Sequence, residues 1–246
     1  MAMGLTCALS GHAEVKLPSG EIDSKYFYDT NGAVLNEGDV LNVYGQKCLV
    51  LRSNINEPGL VIALDAICPI KENGQNAGSW QRIQGPFDNN PRHKEFEIGL
   101  KDEDCGLINL FRLQKKVDAS FDYSMSDFHA FNACELMGHG WYLPAINELL
   151  LLSKVLGIEI SPDAKGKEKR EVYNAFHNFL KENGIQLRHS YGGFSIYSST
   201  EIKKDEAWAI AGGWQKYKAL KFSCDGYNIM PVHLVKAVEG ETSTKP

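Results

Sequence analysis

The run Ser198-Ser199-Thr200-Glu201 places three hydroxyls beside a carboxylate and is the segment of this chain best equipped for nucleophilic chemistry. A serine nucleophile needs an activating base and a sharp turn of the G-x-S-x-G type, and neither accompanies this run. The expected use of the three hydroxyls is to bond backbone groups and hold a turn, with Glu201 receiving a buried donor. His129, Cys134 and His139 are spaced five apart. On a helix that spacing rotates each residue by about 140° from the last, so the three cannot share a face around a metal. No H-E-x-x-H, CxxC pair or EF-hand loop is present, and these are the spacings that preset zinc or calcium ligands. The expectation is therefore no catalytic set, no metal and no cofactor. Cys7, Cys48, Cys68, Cys105, Cys134 and Cys224 are scattered without a short repeat. They are read as small apolar residues, mostly buried, with one or two disulfides in an oxidising compartment as the alternative.

The elements that must position these residues follow from texture. Val40–Tyr44, Cys48–Arg52 and Gly59–Leu64 are short, rich in β-branched residues and divided by Gly45-Gln46 and Glu57-Pro58-Gly59, which predicts three strands with antiparallel pairing. Residues 71–105 are loop-rich, with Trp80 as their apolar anchor. A helix is predicted from Ser126 as N-cap to Gly138, with Phe128, Phe131, Cys134 and Met137 near one face. A second runs from about Pro144 to Gly157 and carries Leu149-Leu150-Leu151-Leu152, enough to make it central to the core. A third spans about 167–183, on Val172, Phe176, Phe179 and Leu180, with Gly184 as its cap. Strands return at Ile196–Ser199, Ala207–Ala211, Tyr217–Ser223 and Val232–Val238. Strands, then helices, then strands predict an α+β fold. Residues 1–37 read as a lead-in with one short strand pair, and 239–246 as a tail.

Composition excludes several roles. With 246 residues, a formal net charge of −5, 43% hydrophobic and 23% charged residues, the chain has ordinary globular values and length enough for a sizeable core. The acidic balance argues against nucleic acid, which is held by Lys and Arg neutralising phosphates. No apolar run approaches the ~20 residues of a transmembrane segment. The opening residues lack the basic start and the ~7–15 apolar residues of a signal peptide.

Gly140-Trp141-Tyr142-Leu143-Pro144-Ala145-Ile146-Asn147-Glu148-Leu149, Tyr197-Ser198-Ser199-Thr200-Glu201 followed by Ala207-Trp208, and Val232-His233-Leu234-Val235 together resemble the Lcl C-terminal family, named after Legionella collagen-like adhesins. Their counterparts there are G-W-R-L-P-T-x-x-E-L, Y-W-S-S-T-E…A-W and V-R-x-V. Gly38–Asp65 and Asp104–Asn109 are similar to the family's opening strands and its D-G-x-x-N segment, so the resemblance covers about 38–238, with 157–190 as an inserted helical segment. It implies a C-type-lectin-like fold related to the formylglycine-generating scaffold, with antiparallel sheets and two to three flanking helices. It implies a non-catalytic binding or adhesion module, exported to a bacterial surface or medium, whose partner is a protein or glycan. The reactive cysteine pair of formylglycine-generating chemistry has no counterpart, since Cys224 stands alone late in the chain. Calcium-dependent sugar binding is not expected, because Glu57-Pro58-Gly59 is misplaced and W-N-D is missing.

Departures from the pattern are Tyr142 for Arg, His233 for Arg, and Ala145 for Thr. The last leaves a capping box with Glu148 incomplete, at a loss of about 1 kcal/mol. Trp141 is expected to pin the Pro144 helix against the sheet, and Trp208 to lie in the core. In folds of this kind the ligand surface lies on loops between late strands. Here those loops offer Tyr191, Phe194, Trp214, Gln215, Lys216, Tyr217, Asp225, Tyr227 and Asn228, rigid aromatics with adjacent hydrogen-bonding groups. The alternative is that two or three of the rings fill gaps under the loops. Lys203, Lys204, Lys216, Lys218 and Lys221 read as a solvated strand face, with attraction of an anionic polymer as the alternative. Two further roles fit the same surface: a structural or tip subunit of a surface assembly, and a retroelement-diversified variable receptor.

Overall fold

The computed structural model describes residues 6–7, 15–16, 24–53, 58–65, 98–121, 123–157, 171, 174–175, 177–179, 181–184, 195–203, 206–211, 215–220 and 227–236. Its strands are β1 (Thr6–Cys7), β2 (Val15–Lys16), β3 (Phe27–Tyr28), β4 (Val40–Val43), β5 (Gln46–Arg52), β6 (Gly59–Ala63), β7 (Ser195–Lys203), β8 (Glu206–Ala211), β9 (Gln215–Leu220), β10 (Tyr227–Asn228) and β11 (Val232–Val235). Between them lie α1 (Gly106–Asp118), α2 (His129–Leu136) and α3 (Ile146–Val155). The fold is α+β.

A five-stranded sheet has the order β3-β11-β6-β5-β4. The β4–β5–β6 meander is antiparallel, as its short links require. The last strand then returns to the first third of the chain: Val232 pairs with Ile62, His233 with Val61, Leu234 with Leu60 and Val235 with Gly59. β3, upstream of the change in texture at Gly38, joins the far side of β11 in parallel. A four-stranded sheet has the order β10-β7-β8-β9, again with one parallel contact, β10 on β7. Both sheets are therefore mixed rather than purely antiparallel. Those parallel ladders are two residues long, too short to leave a pattern in the sequence. β1 and β2 form a separate short antiparallel pair.

The continuous apolar runs in β5 and β6 explain the layering. Successive side chains of a strand point to opposite faces, so a run without polar residues must be covered on both. Leu49, Leu51, Leu60 and Ile62 face the main core, together with Leu107, Leu110 and Leu113 of α1, Phe131 and Cys134 of α2, and Ile146, Leu149 and Leu152 of α3. Cys48, Val50, Val61 and Ala63 face a smaller cluster closed by Trp141, with Tyr28, Leu35, Leu41 and Met137 packed around it. Trp141 thus covers the far side of the sheet rather than pinning α3. Its neighbour Tyr142 enters the main core and bridges to Val232 through paired backbone bonds of 3.1 and 3.0 Å.

Helix boundaries bring two corrections. α2 begins at His129, after a 3-10 turn over Met125–Asp127 whose N-cap is Ser124, not Ser126. The Asp127 carboxylate accepts the Ser124 N–H at 2.9 Å. α1 falls in a stretch where no helix was expected. Its apolar residues have helical spacing, but its N-cap position is Cys105, which makes no side-chain cap bond. α3 starts two residues after Pro144 and ends before Gly157, which sits at φ +65°. Residues 171, 174–175, 177–179 and 181–182 are helical, followed by Gly184 at φ +75°. The Lys47 ammonium donates to the Asn183 carbonyl there and fastens this helix to β5. Val172, Phe176 and Leu180 lie outside the described residues.

Candidate functional site

Buried polar residues are the first place to seek chemistry, since an unpaired one is costly. Asn109, Glu148, Ser198, Ser199, Thr200, Glu201, Asn228 and His233 are all buried. The expected hydroxyl turn is instead the middle of β7. The β7–β8 register shifts between Tyr197 and Glu201. Across this irregularity the β7 backbone bonds elsewhere, Ser199 N–H to the Pro144 carbonyl and Glu201 N–H to the Leu100 carbonyl, both at 2.7 Å. Such irregularities re-aim side chains, and here each takes a different structural task. Ser198 Oγ donates to the Trp208 carbonyl at 2.6 Å. Ser199 Oγ accepts from Asn109 Nδ2 at 3.0 Å. Thr200 Oγ1 donates to the Asp102 carbonyl at 2.8 Å and accepts the Ile146 N–H at 3.1 Å. Glu201 accepts the N–H groups of Ile98, Gly99 and Leu100 at 2.9, 2.5 and 3.2 Å. A carboxylate so occupied positions a chain segment.

Glu148 is the second centre of this lattice. Its Oε2 accepts Ala145 N–H at 2.7 Å and Gly106 N–H at 2.9 Å, and its Oε1 accepts the Tyr142 hydroxyl at 3.1 Å. One side chain therefore caps α3 and, from 42 residues away, α1. The helices approach so closely that a Cβ at Gly106 would lie 2.1 Å from the Leu143 carbonyl oxygen. The incomplete capping box is made good from outside. Thr200 accepts the first helical amide, of Ile146, and the Glu103 carbonyl takes the second, the Asn147 N–H, at 2.8 Å, which a side-chain cap at Ala145 could have taken. Tyr142 contributes the hydroxyl donor. Burial pushes the Glu148 carboxyl up to about 7, against the downward pull of the Ala145 and Gly106 N–H groups, the Arg52 charge and the Tyr142 hydroxyl.

Of the residues expected to contact ligand, the described ones lie on the four-stranded sheet. Gln215, Lys216 and Tyr217 are on β9, its edge strand, in register with Ala211, Ile210 and Ala209 of β8. Tyr227 is on β10, opposite Ser195. Asn228 lies inside, 3% exposed, with Nδ2 donating to the Ser195 carbonyl at 3.2 Å. That bond holds β10 on β7 and gives Asn228 a bracing role. Tyr191, Phe194, Trp214 and Asp225 lie outside the described residues, as do Trp80, Lys204 and Lys221. Lys218 is exposed, and Lys203 pairs with Glu206 at 3.3 Å. Trp208 is half-buried against the main core.

Among the described residues, no three His, Cys, Asp or Glu side chains are grouped to hold a metal, and no helix is long and apolar enough to cross a membrane. Cys48, Cys105 and Cys134 are buried and form no disulfide; Cys68 and Cys224 lie outside the described residues. Burial raises the Cys48 thiol to about 12 and pushes Cys134 up as well, so neither is a thiolate at neutral pH. A small cavity of about 190 Å³ between α1 and Phe128 is walled mainly by Ile98, Leu113, Val117 and Tyr123, and none of the described residues expected to bind ligand lines it.

Reading the sequence missed the linked group of Asn109, Asp102 and Ser199. Asn109 is its hub, accepting the Asp102 N–H at 3.1 Å and donating to the Asp102 carbonyl at 2.8 Å. A polar residue within the apolar run Leu107-Ile108-Asn109-Leu110 was the available signal. No family model, curated protein or solved structure matches this chain.

Proposed function

We propose that this chain is a non-catalytic binding module of the C-type-lectin-like kind, akin to the Lcl C-terminal family, that presents the loops flanking β9 and β10 to a protein or glycan at a bacterial surface. The observation carrying this reading is the fate of the motif residues. Glu148, Ser198, Ser199, Thr200 and Glu201 are all engaged in cross-links between segments. The motifs thereby act as a frame for the late strands, and recognition falls to residues outside them. The closing of the five-stranded sheet by β11 against β6 supports a single unit in which the late loops are carried by the core. Export is inferred from the resemblance alone.

Binding to glycan and protein arrays, followed by titration of the best ligand, tests the reading. Replacing Trp214 and Tyr217 with Ala should abolish binding while stability changes by about 1 kcal/mol or less, as for surface residues. A large fall in melting temperature would place these rings in the core and refute the site. Binding only to proteins of a single assembly would favour the structural-subunit role. A reverse transcriptase gene and a near-identical template repeat beside the coding region would favour the variable receptor.

A further inference from the structure

His233 stands in the middle of the five-stranded sheet with 0% exposure. Its Nδ1 lies 2.6 Å from the Leu234 carbonyl oxygen and its Nε2 2.6 Å from the His139 carbonyl oxygen. Carbonyl oxygens only accept, and a neutral imidazole has a single N–H. The neutral ring therefore bonds one carbonyl and turns a lone pair toward the other. The charged ring bonds both, but it is a cation in an interior where burial outweighs the pull of the surrounding carbonyls and holds its pKa below the ordinary histidine value. Neither protonation state suits the closed arrangement fully.

The contact that can yield is the turn bearing the His139 carbonyl. Gly138, His139 and Gly140 all have left-handed φ, at +72°, +56° and +82°, a conformation that is uncommon for histidine. The turn is wedged in place, since a Cβ on Gly140 would lie 2.4 Å from the Lys25 carbonyl oxygen. The exposed His139 ring stacks on Tyr44 at 4.1 Å and 10°, and Tyr44 is itself at φ +48°. Trp141 follows directly, with its ring 5.1 Å from that of His233, and closes the smaller apolar cluster. Around His233 stand the titratable groups His139 from the turn, Tyr44 from the β4–β5 hairpin and Tyr28 of β3, whose ring meets Tyr44 edge-on at 5.1 Å, while Lys25, in the 3-10 turn before β3, offers the ring its backbone carbonyl. β6 presents Val61 opposite it. No described carboxylate is among the groups that shift it.

We propose that His233 and the 138–140 turn form an acid-opened latch, in which protonation of the buried ring releases the turn and Trp141 from the sheet and uncovers its second apolar face. The released ring is hydrated and carries its proton at the ordinary affinity. Opening is therefore favoured as the pH falls below about 6.5, by at most about tenfold per pH unit, until the closed form also protonates.

Hydrogen exchange of the native protein between pH 7 and pH 5 tests this, with rates divided by those of an unstructured peptide at each pH. The Trp141 and Tyr142 amides, bonded to the Gly138 and Val232 carbonyls, should lose protection progressively as the pH falls below about 6.5, by at most about tenfold per pH unit. The amides of Leu49 and Ile62 should keep theirs. His233→Gln, which cannot titrate, should abolish the loss, and His139→Ala, which keeps the backbone carbonyl, should preserve it. An imidazole NMR titration of the unmodified protein decides the matter even if the Gln variant does not fold, because the His233 midpoint must lie below about 6.5. The latch is refuted by an unchanged loss in His233→Gln, by its disappearance in His139→Ala, by an equal loss at Leu49 and Ile62, or by a His233 midpoint at or above the ordinary value.

Discussion

Replacing Glu148 with Gln isolates the energetics of the buried lattice. In the folded protein the carboxyl titrates at about 7, against an ordinary 4.5. A group whose folded pKa is raised favours the fold while protonated. Its contribution is whole below about pH 4.5 and is lost as the pH rises through 7. A shift of that size, at 1.36 kcal/mol per unit, makes the loss about 3 kcal/mol. The side chain is 3% exposed, so solvent screening reduces this little. Glutamine fits the same geometry: its oxygen can accept the Ala145 and Gly106 N–H groups while its amide donates to the Tyr142 oxygen. Urea unfolding followed by circular dichroism from pH 4.5 to 8.5 should then give equal stabilities for the two proteins at the acid end. Glu148→Gln should be more stable by about 3 kcal/mol above pH 8, roughly 1 M in the urea midpoint. His233 contributes an opposing slope, because its lowered folded pKa gives stability that is present above its unfolded value and lost in acid. It does so equally in both proteins, so their difference reports Glu148 alone. Parallel pH profiles would show that the carboxylate is ionised throughout, and that its three donors outweigh burial.

Two further outcomes follow from the same contacts. Thr200→Val keeps the shape but leaves the Ile146 N–H and the Asp102 carbonyl without this partner; thermal or urea unfolding should show a loss of about 2–3 kcal/mol, and a change under 0.5 kcal/mol would mean that water replaces the hydroxyl. Cys48 and Cys134 should resist a thiol reagent in the native protein and react on unfolding, because burial keeps them protonated; modification of either at native rates near those of a free thiol would contradict their burial.

Much of the fold was legible because its signals are local. The three early strands, the leucine-rich α3 and the Gly138, Gly157 and Gly184 stops each rest on neighbouring residues. A strand at Val232–Val238 was expected, whereas its partner, β6, was not read from the sequence. What escaped was decided at a distance. α1 was overlooked because Cys105 cannot cap it, and the acceptor for its first N–H belongs to Glu148. Thr200 accepts the first amide of α3, that of Ile146, across 54 residues. The Ser198–Glu201 run was read correctly as bonding to backbone and wrongly as a turn, because the β7 irregularity depends on where Pro144 and Leu100 lie. Asn228 was grouped with exposed loop residues on composition, whereas its register on β7 turns it inward.

The position of β11 also bears on the order of synthesis. Residues 232–235 lie between β3 and β6, so β6 must wait, with one edge unpaired, until nearly all of the described chain has left the ribosome. The wait spans about ten seconds or more at ordinary rates of translation. During it, an apolar strand edge is open to pairing with other chains. Completion of this sheet is consequently a late, long-range and slow step, and nascent chains halted before residue 232 should be captured by chaperones far more than full-length ones.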